Sequence, residues 1–465
     1  MKTTRREALL LGLGTALARS VPQAFAQETR PWPPPLRMAE NGTVSLRSAD
    51  FLVTPESVQT AARQEGAAAF TVATAQPTVD LAYHQNLGPD AIGRRLWSSW
   101  GDIAVASDGR VYCGIGDHGN DVGGDARCFL YRWDPRRRVL EQVVDMNRVV
   151  PPQMGQPAWS KVHARIDEGP DNKIYFSCTL NDGNRAVQPA YRWTERLPGG
   201  QLYRFDPQNG QTSVVASLPR PRCTATSLLD RQRNIWWCNL EGGGNALWGL
   251  SLETRRAVFQ GPDGSVHFNR NFAVARDGSV YFNGKGGIWK YDAAARRIAQ
   301  TRSTFAGSPG MRSSTRESRD GCIYGTTQGT GQLFRYRPAR DELQLLGPAW
   351  LRGDYVTVCE LSPDDRFLYY LPGAHGQAVR HGTPVIQYEI ATGRRKVLAF
   401  LARAFEQAHD YVPAGTYGVK ISADGGTLYV NFNGHAADRI RPASMRPNGF
   451  GLTSFAAIHI PRAER

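Results

Sequence analysis

Seven copies of one strand–turn–strand pattern, almost no helical periodicity, and a last copy that ends one strand short define the chain's architecture. They predict an all-β fold, a seven-bladed β-propeller whose last blade is closed by an N-terminal strand. Hydrophobic residues are 41% of the 465 and charged residues 21%, which excludes a disordered chain. The 48 Gly and 29 Pro supply many turns. No apolar run reaches the length that spans a bilayer.

From the N-terminus, residues 1–26 read as an export signal. A basic start precedes an apolar stretch from Ala8 to Ala18, and Ala24-Phe25-Ala26 offers a small-x-small cleavage site. Arg5-Arg6, after Thr4 and before Leu9-Leu10, resembles the twin-arginine signal that carries folded proteins. A periplasmic or secreted protein with no stable membrane anchor is expected. Residues 27–65 form a Pro-rich extension, expected to be extended over 30–42, and residues 66–465 form the propeller.

The formal charge of +14, about +11 once Lys2, Arg5, Arg6 and Arg19 leave with Glu7, is spread along the chain. No stretch gathers five or six basic residues and no nucleic-acid motif appears, so nucleic acid is not an expected partner. Acidic substrates such as uronic acid sugars fit the charge. The seven Cys form no CxxC pair and leave at least one thiol free; most lie in apolar β-like runs as small buried residues. A monomer is expected.

Tight turns punctuate the repeats at Ser107-Asp108-Gly109, Pro170-Asp171-Asn172, Arg276-Asp277-Gly278, Arg319-Asp320-Gly321, Pro363-Asp364-Asp365 and Ala423-Asp424-Gly425, with a weaker copy at Arg231–Asn234. Such residues favour hairpins with positive φ. The third strands are 130–135, 202–207, 247–253, 288–293, 333–338, 385–390 and 457–462. Their aromatics Trp133, Phe205, Trp289, Tyr336 and Tyr388 are expected between blades. Fourth strands follow at Leu140–Val144, Thr212–Ala216, Leu343–Leu346 and Lys396–Phe400. Nothing follows the seventh third strand, and an open edge is costly. The missing strand is expected from Ala69–Ala73, Val79–Tyr83 or residues 45–53. Leu398–Ala408 is the best helix candidate.

Register counted from the turns aligns His118, His375 and His435 just past the second strands of blades 1, 6 and 7, which are neighbours in a closed ring. The first strands align His163 with Trp100, Thr224, Asn269, Arg312, Thr357 and Tyr417. Two residues deeper lie Asp102, Arg165, Thr226, Asn271, Ser314, Cys359 and Val419. First strands line a propeller's channel, so these side chains should share a funnel. Three imidazoles converging there would hold a divalent metal ion, Mn, Ca or Zn, with Asp117 or Gln377 completing or orienting the shell. His163 is the candidate general base, Arg312 and Arg165 the candidate carboxylate clamps, and Tyr417 the candidate acid. Pairing of the two arginines with Asp102, Asp167 or Glu317 is the structural alternative.

The pattern xxxDGxxYF followed by LYRxDP resembles the SMP-30/gluconolactonase-like and streptogramin-lyase-like propellers across nearly the whole mature chain. The first of these holds a divalent ion on first-strand residues, where Asn269 and Asn271 stand here. The His arrangement is similar to that of oligogalacturonate lyase, whose metal is held by several His and a Gln. That resemblance implies ligand roles for His118, His375 and His435, and base and clamp roles for His163 and Arg312. The expected function is an exported enzyme acting on an acidic carbohydrate, a metal-dependent uronate lyase. The alternatives are a metal-dependent lactonase or other hydrolase, and a non-catalytic propeller that binds glycan or protein.

Overall fold

In the computed structural model the described residues are 31–88, 96–117, 126–152, 158–180, 199–219, 222–241, 244–267, 271–441 and 449–465. The export signal lies outside them, as do His118 and Asn269. Each repeat becomes a twisted antiparallel sheet, and the innermost strands pack on one another in sequence. Ala104–Val105 touches Asp167–Glu168, followed by Ser227–Asp230, Phe272–Val274, Met311–Ser314, Cys359–Leu361 and Tyr411–Ile421, which returns to Ala104–Val105. That circuit has seven members, so the fold is a seven-bladed propeller.

Turn chemistry explains the inner hairpins. Gly109, Asn172, Asn234, Gly278, Gly321, Asp365 and Gly425 all take positive φ at the turns named above. Only glycine, or a short polar side chain that bonds locally, adopts this conformation at low cost. Further out, the strands alternate onto two neighbours, and the outermost strands Ala257–Gln260 and Arg297–Gln300 are half exposed. Trp133, Phe205, Tyr336 and Tyr388 are buried between blades. Blade 4 departs from expectation. Tyr291 fills the position and is buried, whereas Trp289 is only partly buried and donates from Nε1 to the Lys285 carbonyl.

The last blade closes as the open edge requires. Thr78–Tyr83 pairs antiparallel with Ser454–His459. The other two candidate segments are strand only in part, and elsewhere; most of 45–53 is the short 3-10 helix Ala49–Leu52. Thr43–Leu46 adds a fifth strand outside Thr78–Tyr83, and Thr71–Val72 pairs parallel with Arg395–Phe400 of blade 6. The N-terminal extension is therefore packed against blades 6 and 7: Leu36, Phe51 and Val58 are buried, and Arg37 bonds Asp410 at 2.6 Å. The helix is shorter than its expected span. Leu398, Ala399 and Phe400 belong to the outer strand of blade 6, where all three are buried, and the helix occupies Ala402–His409. Asp410 ends it in a left-handed conformation.

All seven Cys are buried and free. Among the described residues no helix is long and apolar enough to cross a membrane.

Candidate functional site at one mouth of the channel

Trp100 is the centre of the site. It precedes the inner strand of blade 1, at the register position shared with His163, Arg312 and Tyr417. Its indole stacks on His163 (ring centroids 6.0 Å apart, planes 10° apart) and on Phe450 (5.6 Å, 16°). Tyr417 and His375 lie 5.1 and 5.7 Å from it, and the Lys161 ammonium sits 4.8 Å from its ring centre. Residues from blades 1, 2, 6 and 7 thus meet in one aromatic and cationic cluster.

Below Trp100 the channel holds a cavity of about 80 Å³ lined by His163, Arg312, Tyr417 and, deeper, Asp102, Arg165 and Asn271. The repeat register therefore places its two layers as expected for these residues. Arg312 is the outstanding member. It is 7% exposed, its Nε donates to the Tyr355 hydroxyl at 2.6 Å, and one terminal nitrogen donates to the Thr357 carbonyl at 3.1 Å. Its guanidinium lies 5.3 Å from the Tyr355 ring and 5.6 Å from the Tyr417 ring. Among the described residues no carboxylate pairs with it. A buried cation without a counter-ion is costly, and here the cavity beside it is where an anion would fit.

His163 Nδ1 lies 2.9 Å from the Ala225 carbonyl oxygen. That oxygen can only accept, so Nδ1 carries the proton and the neutral ring keeps a lone pair on Nε2. The Tyr417 hydroxyl lies 2.6 Å from Nε2 and 2.9 Å from Nδ1 of His375. His375 is exposed at the mouth and takes a left-handed φ of 61°. A phenol and an imidazole in contact are suited to passing a proton between them.

Arg165 does not act as a second free clamp. Its Nε donates to Asp167 at 2.8 Å, the alternative pairing foreseen for it. Asp102 likewise bonds Lys420, which also reaches Glu360 at 3.0 Å. Burial opposes the charges of Arg165 and Lys420, but the surrounding Asp102, Asp167 and Glu360 outweigh it and raise both pKa values. Together they form a paired network of two cations and three carboxylates, of which Asp102 and Arg165 line the cavity. Arg165 also lines the larger cavity of about 550 Å³ at the opposite mouth.

Of the expected metal centre, His375, His435, Asp117 and Gln377 fall among the described residues. His118 lies outside them. His435 shares a strand face with Asn431 and Asn433, which bond Ser99 of blade 1, and its own Nδ1 meets the Ala436 carbonyl oxygen at 3.0 Å. Asp117 is fully buried and accepts from the Leu96 amide at 3.2 Å. Gln377 is exposed and leads into the short helical turn Ala378–His381. Among the described residues no three His, Cys, Asp or Glu side chains gather as a metal-binding group. Asn271, the other position of metal-site interest, donates to Ser314.

Tyr355 and Lys161 belong to the site but were not singled out in the sequence. Each lies two residues before an aligned first-strand position, Thr357 and His163 respectively. The same-face rule would have carried the alignment one step outward to them.

No family model matches the sequence, and no curated protein matches it. Among solved structures, the chain is similar to the crystal structure of RRP9 WD40 repeats, with 8% identity, 82% of this chain and 97% of that chain covered, and a TM-score of 0.49. It is also similar to the structure of U3-55K, with 9% identity, 80% and 100% covered, and a TM-score of 0.46.

Proposed function

We propose that the chain is an exported enzyme acting on an acidic carbohydrate, a lyase that cleaves beside a uronate. The observation that carries this reading is Arg312, a buried guanidinium with no described carboxylate partner, facing a cavity under an aromatic platform. The carboxylate of the sugar enters the cavity below Trp100 and completes the Arg312 charge. Lys161 adds positive potential at the same mouth.

The remaining groups fit proton abstraction next to that carboxylate. Nε2 of His163 takes the proton from the carbon that bears it. The electron pair forms a carbon–carbon double bond, and the glycosidic oxygen leaves from the adjacent carbon. Tyr417 gives its proton to the departing oxygen and recovers one from His375. Arg312 stabilises the negative charge that grows on the carboxylate during abstraction.

The test is incubation of the purified chain with oligouronates, with and without added Mn, Ca or Zn salts. The reading predicts a conjugated double bond, seen as new ultraviolet absorbance and as product masses that sum to the substrate mass. Cleavage that adds the mass of water supports a hydrolase instead. Binding without cleavage under every condition supports a non-catalytic glycan-binding propeller.

A further inference from the structure

Away from the channel mouth, the core between blades 1 and 2 brings two thiols together. Cys128 opens the strand Cys128–Asp134 of blade 1, and Cys178 follows the strand Ile174–Ser177 of blade 2. Their sulfurs are 3.6 Å apart and both side chains are fully buried. Val162, Phe176 and Tyr203 belong to the same inter-blade cluster. The two residues are 50 apart in sequence, so a bond between them would close a long loop and tie two blades together.

We propose that Cys128 and Cys178 are a dithiol–disulfide site that covalently staples blade 1 to blade 2. The sulfurs are already in van der Waals contact, and a disulfide requires closing to about 2.05 Å, a shift within reach of side-chain rotation and small backbone movement. The oxidant is a small external disulfide. One Cys thiolate attacks it and releases one thiolate, giving a mixed disulfide. The second Cys thiolate attacks the protein sulfur of that bond and releases the other thiolate. The net exchange converts two protein thiols and one external disulfide into one protein disulfide and two external thiols.

Burial fixes when this happens. Loss of solvent and the neighbouring thiol push the Cys128 pKa up, which suppresses the reactive thiolate in the folded chain. Exchange therefore accompanies folding or transient opening of the interface, and the folded chain preserves the state it acquired. The bridge also has a route to the channel mouth. Thr179 follows Cys178 and pairs with Lys161, whose ammonium lies against Trp100.

The test compares the full chain refolded with glutathione and glutathione disulfide against the chain refolded in reductant alone. Free thiols are alkylated after denaturation and the peptides are mapped by mass. The expected result is a single linked peptide pair containing Cys128 and Cys178, with the other five thiols alkylated. The oxidised chain should also show a higher thermal midpoint than the reduced chain, and Cys178→Ala should abolish the linked pair. If Cys178→Ala fails to fold, the wild-type peptide map decides alone. Alkylation of all seven thiols after oxidative refolding, or a bridge joining any other pair, overturns the proposal.

Discussion

At the scale of single residues, the consequences of burial are sharpest at Arg312 and His84. Arg312 is held by a phenol and a backbone carbonyl, with no acid among the described residues, which leaves its charge for a ligand. Arg312→Gln keeps size and polarity but removes the charge. It should weaken binding of an acidic sugar by about tenfold to a hundredfold, from the typical 1.5–3 kcal/mol of a charged hydrogen bond. Binding of a neutral sugar should change little, and a calorimetric titration of both ligands checks this. Tyr417→Phe should leave binding nearly unchanged and reduce turnover on oligouronate by about 10²–10⁴, the range for a lost general acid.

His84 lies behind the closing strand, fully buried, with Nε2 3.6 Å from the Cys113 sulfur. Burial pulls its pKa down to about 3. The folded state holds this ring neutral while the unfolded chain protonates it near its ordinary value. Stability from this group is therefore complete above about pH 6.5 and declines as pH falls toward 3, by up to about 1.4 kcal/mol per pH unit. Urea unfolding at pH 7, 5.5 and 4 should show that decline. His84→Phe should flatten it, unless the larger ring disrupts the core enough to lower stability at every pH.

At the scale of elements, closure depends on Thr78–Tyr83 and on the glycines that let blades approach. Asp80 on that strand ties it to two other strands and a turn of blade 1: it accepts from His459 at 3.0 Å, Arg138 at 2.8 Å, and Ser45. Burial alone would raise its pKa, but the His459 and Ser45 hydrogen bonds and the Arg138 charge bring it below the usual value. Its contribution is therefore present above the unfolded carboxylate range and is lost as pH falls through the lowered value. Asp80→Asn should cost about 2 kcal/mol at pH 7, with the deficit against wild type narrowing in acid, as chemical denaturation at the two pH values would show.

Gly116 makes the complementary point. A Cβ there would meet the Ser160 carbonyl oxygen at 1.8 Å, and the backbone cannot yield cheaply. Gly116→Ala should lower the thermal midpoint by several degrees, in line with overpacking costs of about 1–3 kcal/mol.

The elements were legible to different depths, for physical reasons. The hairpin turns could be read directly, because positive φ restricts residue choice at Gly109, Asn172 and Asp365. The closing strand could be narrowed to three segments but not chosen. All three contribute strand residues, two of them only a pair each, and the long-range pairing with Ser454–His459 distinguishes Thr78–Tyr83. The start of the helix was misplaced because Leu398–Phe400 is apolar on successive residues, a run that suits a buried strand as well as a helix. In blade 4 the aromatic was misassigned by one alternation, Trp289 for Tyr291, since both are large rings two residues apart.

At the scale of the whole molecule, ring symmetry is what made a site visible in a sequence. Equivalent positions in different blades face one axis, so aligning the turns brought His163, Arg312, Tyr417 and Asp102 to a common channel. The imidazoles past the second strands were harder to place, because that segment varies in length and conformation. His375 turns inward through a left-handed residue, while His435 continues along its strand toward blade 1. Pairing was also beyond the alignment. Arg165 and Arg312 occupy successive layers, yet only the inner one meets an acid, Asp167.

The channel thus holds a paired network of two cations and three carboxylates beneath Arg312, which no described carboxylate pairs, and an aromatic cluster. The most direct measurement of this account is a calorimetric titration of the wild-type chain and Arg312→Gln with galacturonate, galactose serving as the neutral control. The account predicts salt-sensitive binding of galacturonate to wild type, loss of most of that affinity in the variant, and little binding of galactose to either. Equal affinity of the two proteins for galacturonate, or no preference of wild type for the acid over the neutral sugar, would contradict it.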